Sequence, residues 1–246
     1  MFSVSETTLS ILKEIRRKDK IDCLNLYAIV PYAYEYVRLA TQVGGISGLA
    51  KKFAKEITVS RNMKTAALGL KGVMRADPAA LMKAYLNYEI SRIKSATDKH
   101  ANLQSVMLHE VITDMALALN LDWLFKSYVD FMSKHGITPG FNTGNFSYFV
   151  NKFREWGIDL SKIAIAAPFN KVGFQMNPSK EECEKTLESV SKSAIIAISI
   201  LAAGYLNLSE AAEYVATLPN IGGVAVGISK EKHAHETFRI IKEKLC

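Results

Sequence analysis

Apolar runs alternate with amphipathic segments through the second half of the chain. Five runs are mostly apolar on both sides of the backbone and predict strands: Ser105–Glu110, Ile137–Asn142, Lys162–Ala167, Ala194–Ala202 and Gly223–Gly227. Five segments carry apolar residues every three or four positions and predict helices: Met115–His135, Ser147–Trp156, Lys180–Ser191, Ser209–Leu218 and Glu231–Leu245. This regular alternation is typical of a parallel sheet covered by helices.

The first half of the chain is less regular. Its pattern predicts helices over Thr7–Lys18 and Tyr32–Gln42, a strand over Cys23–Val30, and two short strands over Ile57–Val59 and Thr65–Leu70. Asp77 before Pro78 predicts the start of a further helix that runs to Ile93, because aspartate caps helices and proline favours their first position. Ser209 is the predicted N-cap of a helix in the second half.

The repeat of one strand and one helix takes about 25 to 30 residues, the size of one step of a (β/α)8 TIM barrel. The chain has 246 residues, close to the roughly 250 that are typical of that fold. We therefore predict an α/β protein with a single TIM-barrel domain over residues 1–246, irregular in its first half or carrying a helical insertion there. A doubly wound open sheet has the same alternation and is the alternative.

Composition and charge exclude several classes of protein. Hydrophobic residues make up 49% and charged residues 22%, as in a globular domain rather than a disordered chain. The formal net charge is +7, but basic residues alternate with acidic ones, so we expect no nucleic-acid partner. No apolar run approaches the ~20 residues of a membrane span, and nothing near the N-terminus has the pattern of a signal peptide.

The cysteines and histidines indicate neither disulfides nor a metal. Cys23, Cys183 and Cys246 are odd in number and widely spaced, which favours the reducing cytoplasm. His233 and His235 lie on different faces of a predicted helix, and no other set of His, Asp and Glu has ligand spacing. We expect no bound metal.

The residues that follow the strands are the candidates for catalysis, since the loops of a parallel barrel converge at the carboxyl ends of its strands. His109 and Glu110 close one strand and are predicted to move protons, with a hydrogen-bonded structural histidine as the alternative. Lys171 and Lys71 are predicted to polarise a carbonyl or anchor an anion, with a plain surface position as the alternative for Lys71.

Polar and small residues near strand ends are the candidates for binding. The predicted substrate-binding residues are Tyr27, Asn142, Asn145, Asn170, Gln175, Asn177 and Ser199. For Asn142 and Asn145, a turn that uses asparagine and glycine is the alternative. The stretches LAAGYLN and VGISKEKHA predict a phosphate site formed by Gly204, Gly227 and Ser229 near helix N-termini, with close packing of small residues as the alternative.

Four stretches give the second half a resemblance to a known family: HEV at His109, GFNTGNF at Gly140–Phe146, AISILAAGYL, and GVAVGISKEKHAHETF. Their order resembles the C-terminal half of the aldo/keto reductases. The resemblance implies a (β/α)8 barrel, a catalytic histidine at His109, a glycine-containing loop at Gly204, and a loop at Gly227–Ser229 that holds the phosphate of NADPH. The family's Asp-Thr-Ala-x-x-Tyr-Gly stretch, which holds its catalytic tyrosine, does not occur here. The chain also resembles a prokaryotic, archaeal-type barrel family of undefined activity.

Three functions follow from these patterns. The first is an enzyme that acts on a small phosphorylated or carboxylated metabolite by aldolase (lyase) or isomerase chemistry. The second is an NADPH-dependent reductase with an altered proton donor, with Tyr27 in place of the missing tyrosine. The third is a barrel that binds a partner without catalysis. The patterns leave homo-oligomerisation open.

Overall fold

Seven strands and eight α-helices form the part of the chain that the computed structural model describes, namely residues 1–31, 77–98, 101–190, 194–228 and 231–245. In chain order they are β1 (Phe2–Ser3), α1 (Glu6–Arg17), β2 (Asn25–Val30), α2 (Pro78–Ala96), β3 (Asn102–Leu108), α3 (Glu110–Ala118), α4 (Asp122–Lys134), β4 (Thr138–Asn142), α5 (Phe146–Glu155), β5 (Ala164–Pro168), α6 (Lys180–Glu188), β6 (Ala194–Ile198), α7 (Leu208–Thr217), β7 (Ile221–Val224) and α8 (Glu231–Leu245). Outside the described residues lie Lys71, Ser229 and Cys246, the predicted helix Tyr32–Gln42, and the predicted strands Ile57–Val59 and Thr65–Leu70.

One of two compact units lies within Met1–His109 and Trp123–Pro139. It contains the parallel strands β1, β2 and β3, paired in chain order, with Ala28 opposite Val106. Arg92 of α2 pairs with Glu6 of α1 at 2.6 Å and with Glu89 of its own helix at 2.9 Å. The pair with Glu6 joins α1 to α2.

The other unit comprises Glu110–Asp122 and Gly140–Cys246 and is built on parallel strands from β4 to β7. Asn142 of β4 stands opposite Ala166 of β5. Phe141 packs against the ring of Phe149 of α5, with ring centroids 5.2 Å apart. Because successive side chains of a strand point to opposite faces, Asn142 and Ala166 lie on the face away from α5.

The strand pairings confirm the α/β class and the predicted parallel order. Every strand pairing given above is parallel, and helices follow the strands along the chain. The described residues supply seven strands, so the closed eight-stranded barrel is not shown by them. The predicted strand at Cys23–Val30 is β2 and ends before Pro31 as expected, whereas the two-residue strand β1 was too short to leave a pattern.

Capping residues explain where several helices begin. Asp77 accepts hydrogen bonds from the amides of Ala79 and Ala80 at 3.0 and 3.1 Å, which confirms the predicted start of α2 at Pro78. The prediction of Ser209 as an N-cap is wrong. Asn207 caps α7 instead, because its side chain accepts from the Glu210 amide at 3.0 Å.

The single helix predicted over Met115–His135 is wrong as well. Two helices, α3 and α4, occupy the region, separated at Asn120, whose φ is +56°. The Leu121 amide donates to the Ala116 carbonyl at 3.0 Å and closes α3. The apolar period continues through this break, so hydrophobicity alone does not reveal it. Glu110 therefore begins a helix rather than ending a strand.

Two predicted strands have other limits in the structure. The strand predicted over Ala194–Ala202 ends at Ile198, because Ser199 takes a φ of +54° that no strand residue adopts. The strand predicted over Gly223–Gly227 lies earlier, at Ile221–Val224. Both differences lengthen the loops at the carboxyl ends of β6 and β7.

Candidate functional site

Asp114 on α3 holds the turn that follows β4. Its Oδ1 accepts a hydrogen bond from the Thr143 hydroxyl at 2.5 Å, and its Oδ2 accepts from the Gly144 amide at 3.1 Å and from Asn145 Nδ2 at 3.0 Å. Thr143 Oγ1 also accepts from the Asn145 amide at 3.0 Å. Three donors thus fix the Asp114 carboxylate at the carboxyl end of β4. One of them is the side-chain amide of Asn145.

Glu110 lies one helical turn before Asp114 and is half-buried. Burial raises the pKa of its carboxyl, and the nearby charge of Asp114 raises that pKa further. A β-carbon on Gly144 would lie 2.9 Å from Glu110 Oε1, so the carboxylate sits directly against the turn. Within the described part of the chain, no hydrogen bond or ion pair fixes this carboxylate. The protonated form of Glu110 is therefore favoured more than that of an exposed glutamate.

His109 and Tyr27 belong to the unit that contains β1 to β3. The His109 amide donates to the Val30 carbonyl at 2.8 Å, directly after β3. Burial lowers the pKa of its imidazole below the ordinary value of 6.5, so the neutral ring predominates at pH 7. Tyr27 lies within β2, half-buried, rather than at the end of the strand.

Asn142 is the last residue of β4 and is only 8% exposed. Its Oδ1 is buried, and no group among the described residues donates a hydrogen bond to it. Leaving a buried acceptor without a donor costs about 1–3 kcal/mol, so most proteins avoid it. Asn142 is an acceptor that the described fold does not use.

The loop after β5 contains four of the predicted site residues. Asn170 is fully buried, and it closes the loop on itself: Oδ1 accepts from the Phe174 amide at 2.7 Å, and Nδ2 donates to the Phe174 carbonyl at 2.8 Å. Loop folding therefore accounts for Asn170 without a ligand. Lys171 is exposed, and its Nζ pairs with Glu210 Oε1 at 2.6 Å.

The other two residues of this loop connect neighbouring strand ends. Asn177 Nδ2 donates to the Gly144 carbonyl at 3.2 Å, so the loop is held against the turn after β4. Gln175 Oε1 accepts from the Ser199 hydroxyl at 3.5 Å, at the end of β6. One loop thus joins the Asp114 turn to the strand beyond it.

A cleft of about 490 Å³ opens where β6 and β7 end. Four residues predicted from strand ends line it together: Gln175, Ser199, Gly204 and Gly227. The rest of its lining is apolar: Phe174, Ile200, Leu201, Ala203, Ala225 and Val226. A concave, largely apolar surface with a few polar groups is typical of a small-molecule site.

The segment beside this cleft has an unusual backbone. Ser199, Ala202 and Ala203 have φ values of +54°, +46° and +57°, and Gly204 has +89°. Left-handed backbone at a residue other than glycine costs on the order of 1 kcal/mol or more, and consecutive residues of this kind are enriched at functional sites. The strain therefore favours a functional role for the wall formed by this segment.

No group of three or more His, Cys, Asp and Glu in the part of the chain that the structure describes could hold a metal ion. None of the described helices is long and apolar enough to cross a membrane.

Comparisons with known proteins place the chain in no family. No family model, no curated protein and no solved structure gives a significant match. The resemblance to aldo/keto reductases therefore stays a prediction.

Sequence analysis gave Asp114 no role beyond its place after the same strand as His109 and Glu110, although it organises the turn after β4. The available signal was its spacing of four residues from Glu110, which places both carboxylates on one face of a helix. The predicted helix began at Met115, so the spacing carried no weight.

Proposed function

We propose that this chain is an enzyme that moves a proton on a small phosphorylated or carboxylated metabolite, in a lyase or isomerase reaction. The observation that carries the proposal is the contrast between two carboxylates one turn apart on α3. Asp114 is fixed by three donors, whereas Glu110 is held by none in the described chain and has a raised pKa. Carboxyl groups in contrasting surroundings supply different roles in acid–base catalysis, one held in place and one able to exchange a proton.

The cleft at the ends of β6 and β7 is the proposed place for the anionic group. Ser199 and Gln175 offer a hydroxyl and an amide, while Gly204 and Gly227 allow an anion to approach the backbone closely. The net charge of +7 favours anionic ligands over cationic ones. This arrangement includes no lysine. The ammonium group of Lys171 is paired with Glu210.

The proposal also covers the domain architecture, the cellular setting and the partner of the protein. It includes a single (β/α)8-barrel domain, because enzymes of that fold carry their active sites at the carboxyl ends of the strands. It also includes a cytoplasmic setting, with a metabolite rather than a nucleic acid or a membrane as partner.

Hydrogen exchange at carbon tests the proposal without knowledge of the net reaction. Wild-type protein is incubated in D2O with dihydroxyacetone phosphate or with 2-oxobutanoate, and the loss of C–H signals is followed by proton NMR. We expect catalysed exchange with at least one of them and a rate about 100-fold lower in Glu110→Gln, the usual contribution of a general base.

The matched control is Glu188→Gln, which changes an exposed acid at the end of α6 and should retain the wild-type rate. Exchange no faster than the uncatalysed background with both probes would contradict the proposal. So would an exchange rate in Glu110→Gln equal to that of the control.

A further inference from the structure

Asn142 presents a buried acceptor on the face of the sheet away from α5. Phe141, the preceding residue, packs against Phe149, and strand alternation turns Asn142 to the opposite face. Its register neighbour Ala166 offers only a methyl group. The buried Oδ1 consequently has no donor among the described residues, on a face where its neighbouring strand supplies none.

A second acceptor lies close by. Gly144 follows Asn142 by two residues, so their α-carbons are at most about 7 Å apart. The Glu110 carboxylate lies directly against Gly144, 2.9 Å from where a β-carbon would stand. Two oxygen acceptors that no described donor satisfies therefore occupy one small region at the end of β4. Acceptors of this kind match a hydroxyl or amino group, not an anion.

We infer that Asn142 Oδ1 binds a hydroxyl or amino group of the ligand, an inference that rests on the function proposed above. The ligand then has two different ends. Its anionic group occupies the cleft beside Ser199, and its hydrogen-bond donor reaches Asn142. Asn142 is in this arrangement a specificity-determining residue.

The sheet also sets the length of such a ligand. Asn142 ends β4 and Ser199 follows β6, two strands away. Two strand spacings amount to roughly 10 Å. A hydrogen bond of about 2.8 Å at each end leaves roughly 4–5 Å between the terminal oxygens of the ligand. That span fits a metabolite of about three carbons.

Two pairs of probes test the inference by calorimetric titration. Glycerol 3-phosphate is compared with propyl phosphate, and glycerate with propanoate, because the members of each pair differ only in their hydroxyl groups. We expect wild type to bind the hydroxylated member of at least one pair about tenfold more tightly, the value of one good hydrogen bond. Asn142→Leu should lose this preference and keep its affinity for the member without hydroxyls.

Asn151→Leu is the matched control, since it makes the same change on the exposed side of α5 and should keep the preference. Asn142→Asp retains an oxygen at the same place and should keep the preference too, and Asn142→Ala replaces the leucine variant if that one does not fold.

The outcomes separate the subsite from the function on which it rests. Equal affinities of wild type within both pairs, or an unchanged preference in Asn142→Leu, overturn the subsite alone. Absence of binding for all four probes overturns the proposed anion site, and the subsite with it.

Discussion

The carboxylate of Glu110 occupies the space that a side chain at position 144 would need. A β-carbon on Gly144 would lie 2.9 Å from Glu110 Oε1 and 3.5 Å from Asp114 Oδ2. Gly144 has no left-handed φ, so the close approach of the carboxylate, and not backbone conformation, requires glycine here. A substitution at this position therefore reports on Glu110.

The first prediction is an energetic coupling between these two residues. Gly144→Ala should destabilise the wild-type protein, because the new methyl group displaces the Glu110 carboxylate. In a Glu110→Ala background the same change should be milder, with a coupling free energy of about 1 kcal/mol. Urea unfolding of the two single variants and the double variant measures it.

Gly223→Ala supplies the control for this cycle. Nothing lies within 4 Å of a β-carbon at Gly223, so its effect should add to that of Glu110→Ala within about 0.5 kcal/mol. Equal additivity for Gly144→Ala would show that the carboxylate does not lie against the turn.

The second prediction concerns the pH dependence of stability. The pKa of Glu110 is raised above its ordinary value of 4.5, so the folded protein holds this proton to higher pH than the unfolded chain does. Its favourable contribution to the free energy of unfolding is complete below pH 4.5 and is lost as the pH rises through the folded-state pKa. Glu110→Gln cannot ionise and avoids that loss.

The Tm of Glu110→Gln relative to wild type should therefore increase between pH 4 and pH 8, by on the order of 2 °C. Scanning calorimetry at both pH values measures the difference. The exposed control Glu188→Gln should show no such trend, and a flat difference for Glu110→Gln as well would contradict the prediction.

The third prediction concerns the three donors that meet Asp114. Asp114→Asn replaces one acceptor oxygen with an NH2 group, which opposes the donors that reach it. We expect a loss of about 1–3 kcal/mol in the free energy of unfolding, measured with urea. Asp130→Asn removes an exposed carboxylate that pairs with Lys134 and should cost less than about 1 kcal/mol. Similar losses in the two variants would argue against a fixed turn.

The sequence was enough to predict those helix and strand ends that depend on residues close by in the chain. Asp77 caps α2 through amides two and three residues away, so residue type and position were enough to predict the start of the helix. The end of β6 was not predictable in this way. Ser199 and Ala202 leave the strand conformation through positive φ values, and neither residue type signals that conformation.

From the sequence, the site could be predicted only as a set of residues that follow strands, without their contacts. The sequence placed Asn142 and Asn170 after strands and gave both the same predicted role. Asn170 instead forms hydrogen bonds with the backbone of Phe174, and the residue types around it do not predict that contact. Asp114 was given no role because its spacing from Glu110 matters only on a helix that begins at Glu110. The apolar pattern placed the start of that helix later, at Met115.

The last prediction is that replacement by leucine changes the free energy of unfolding in opposite directions at these two buried asparagines. Asn142→Leu removes an oxygen that lacks a donor in the described chain and should raise the free energy of unfolding by about 1 kcal/mol. Asn170→Leu removes hydrogen bonds of 2.7 and 2.8 Å and leaves the Phe174 amide and carbonyl unsatisfied, so it should lower that energy by about 2 kcal/mol. Urea unfolding without ligand measures both. A loss in Asn142→Leu as large as that in Asn170→Leu would show that Asn142 is already satisfied within the fold.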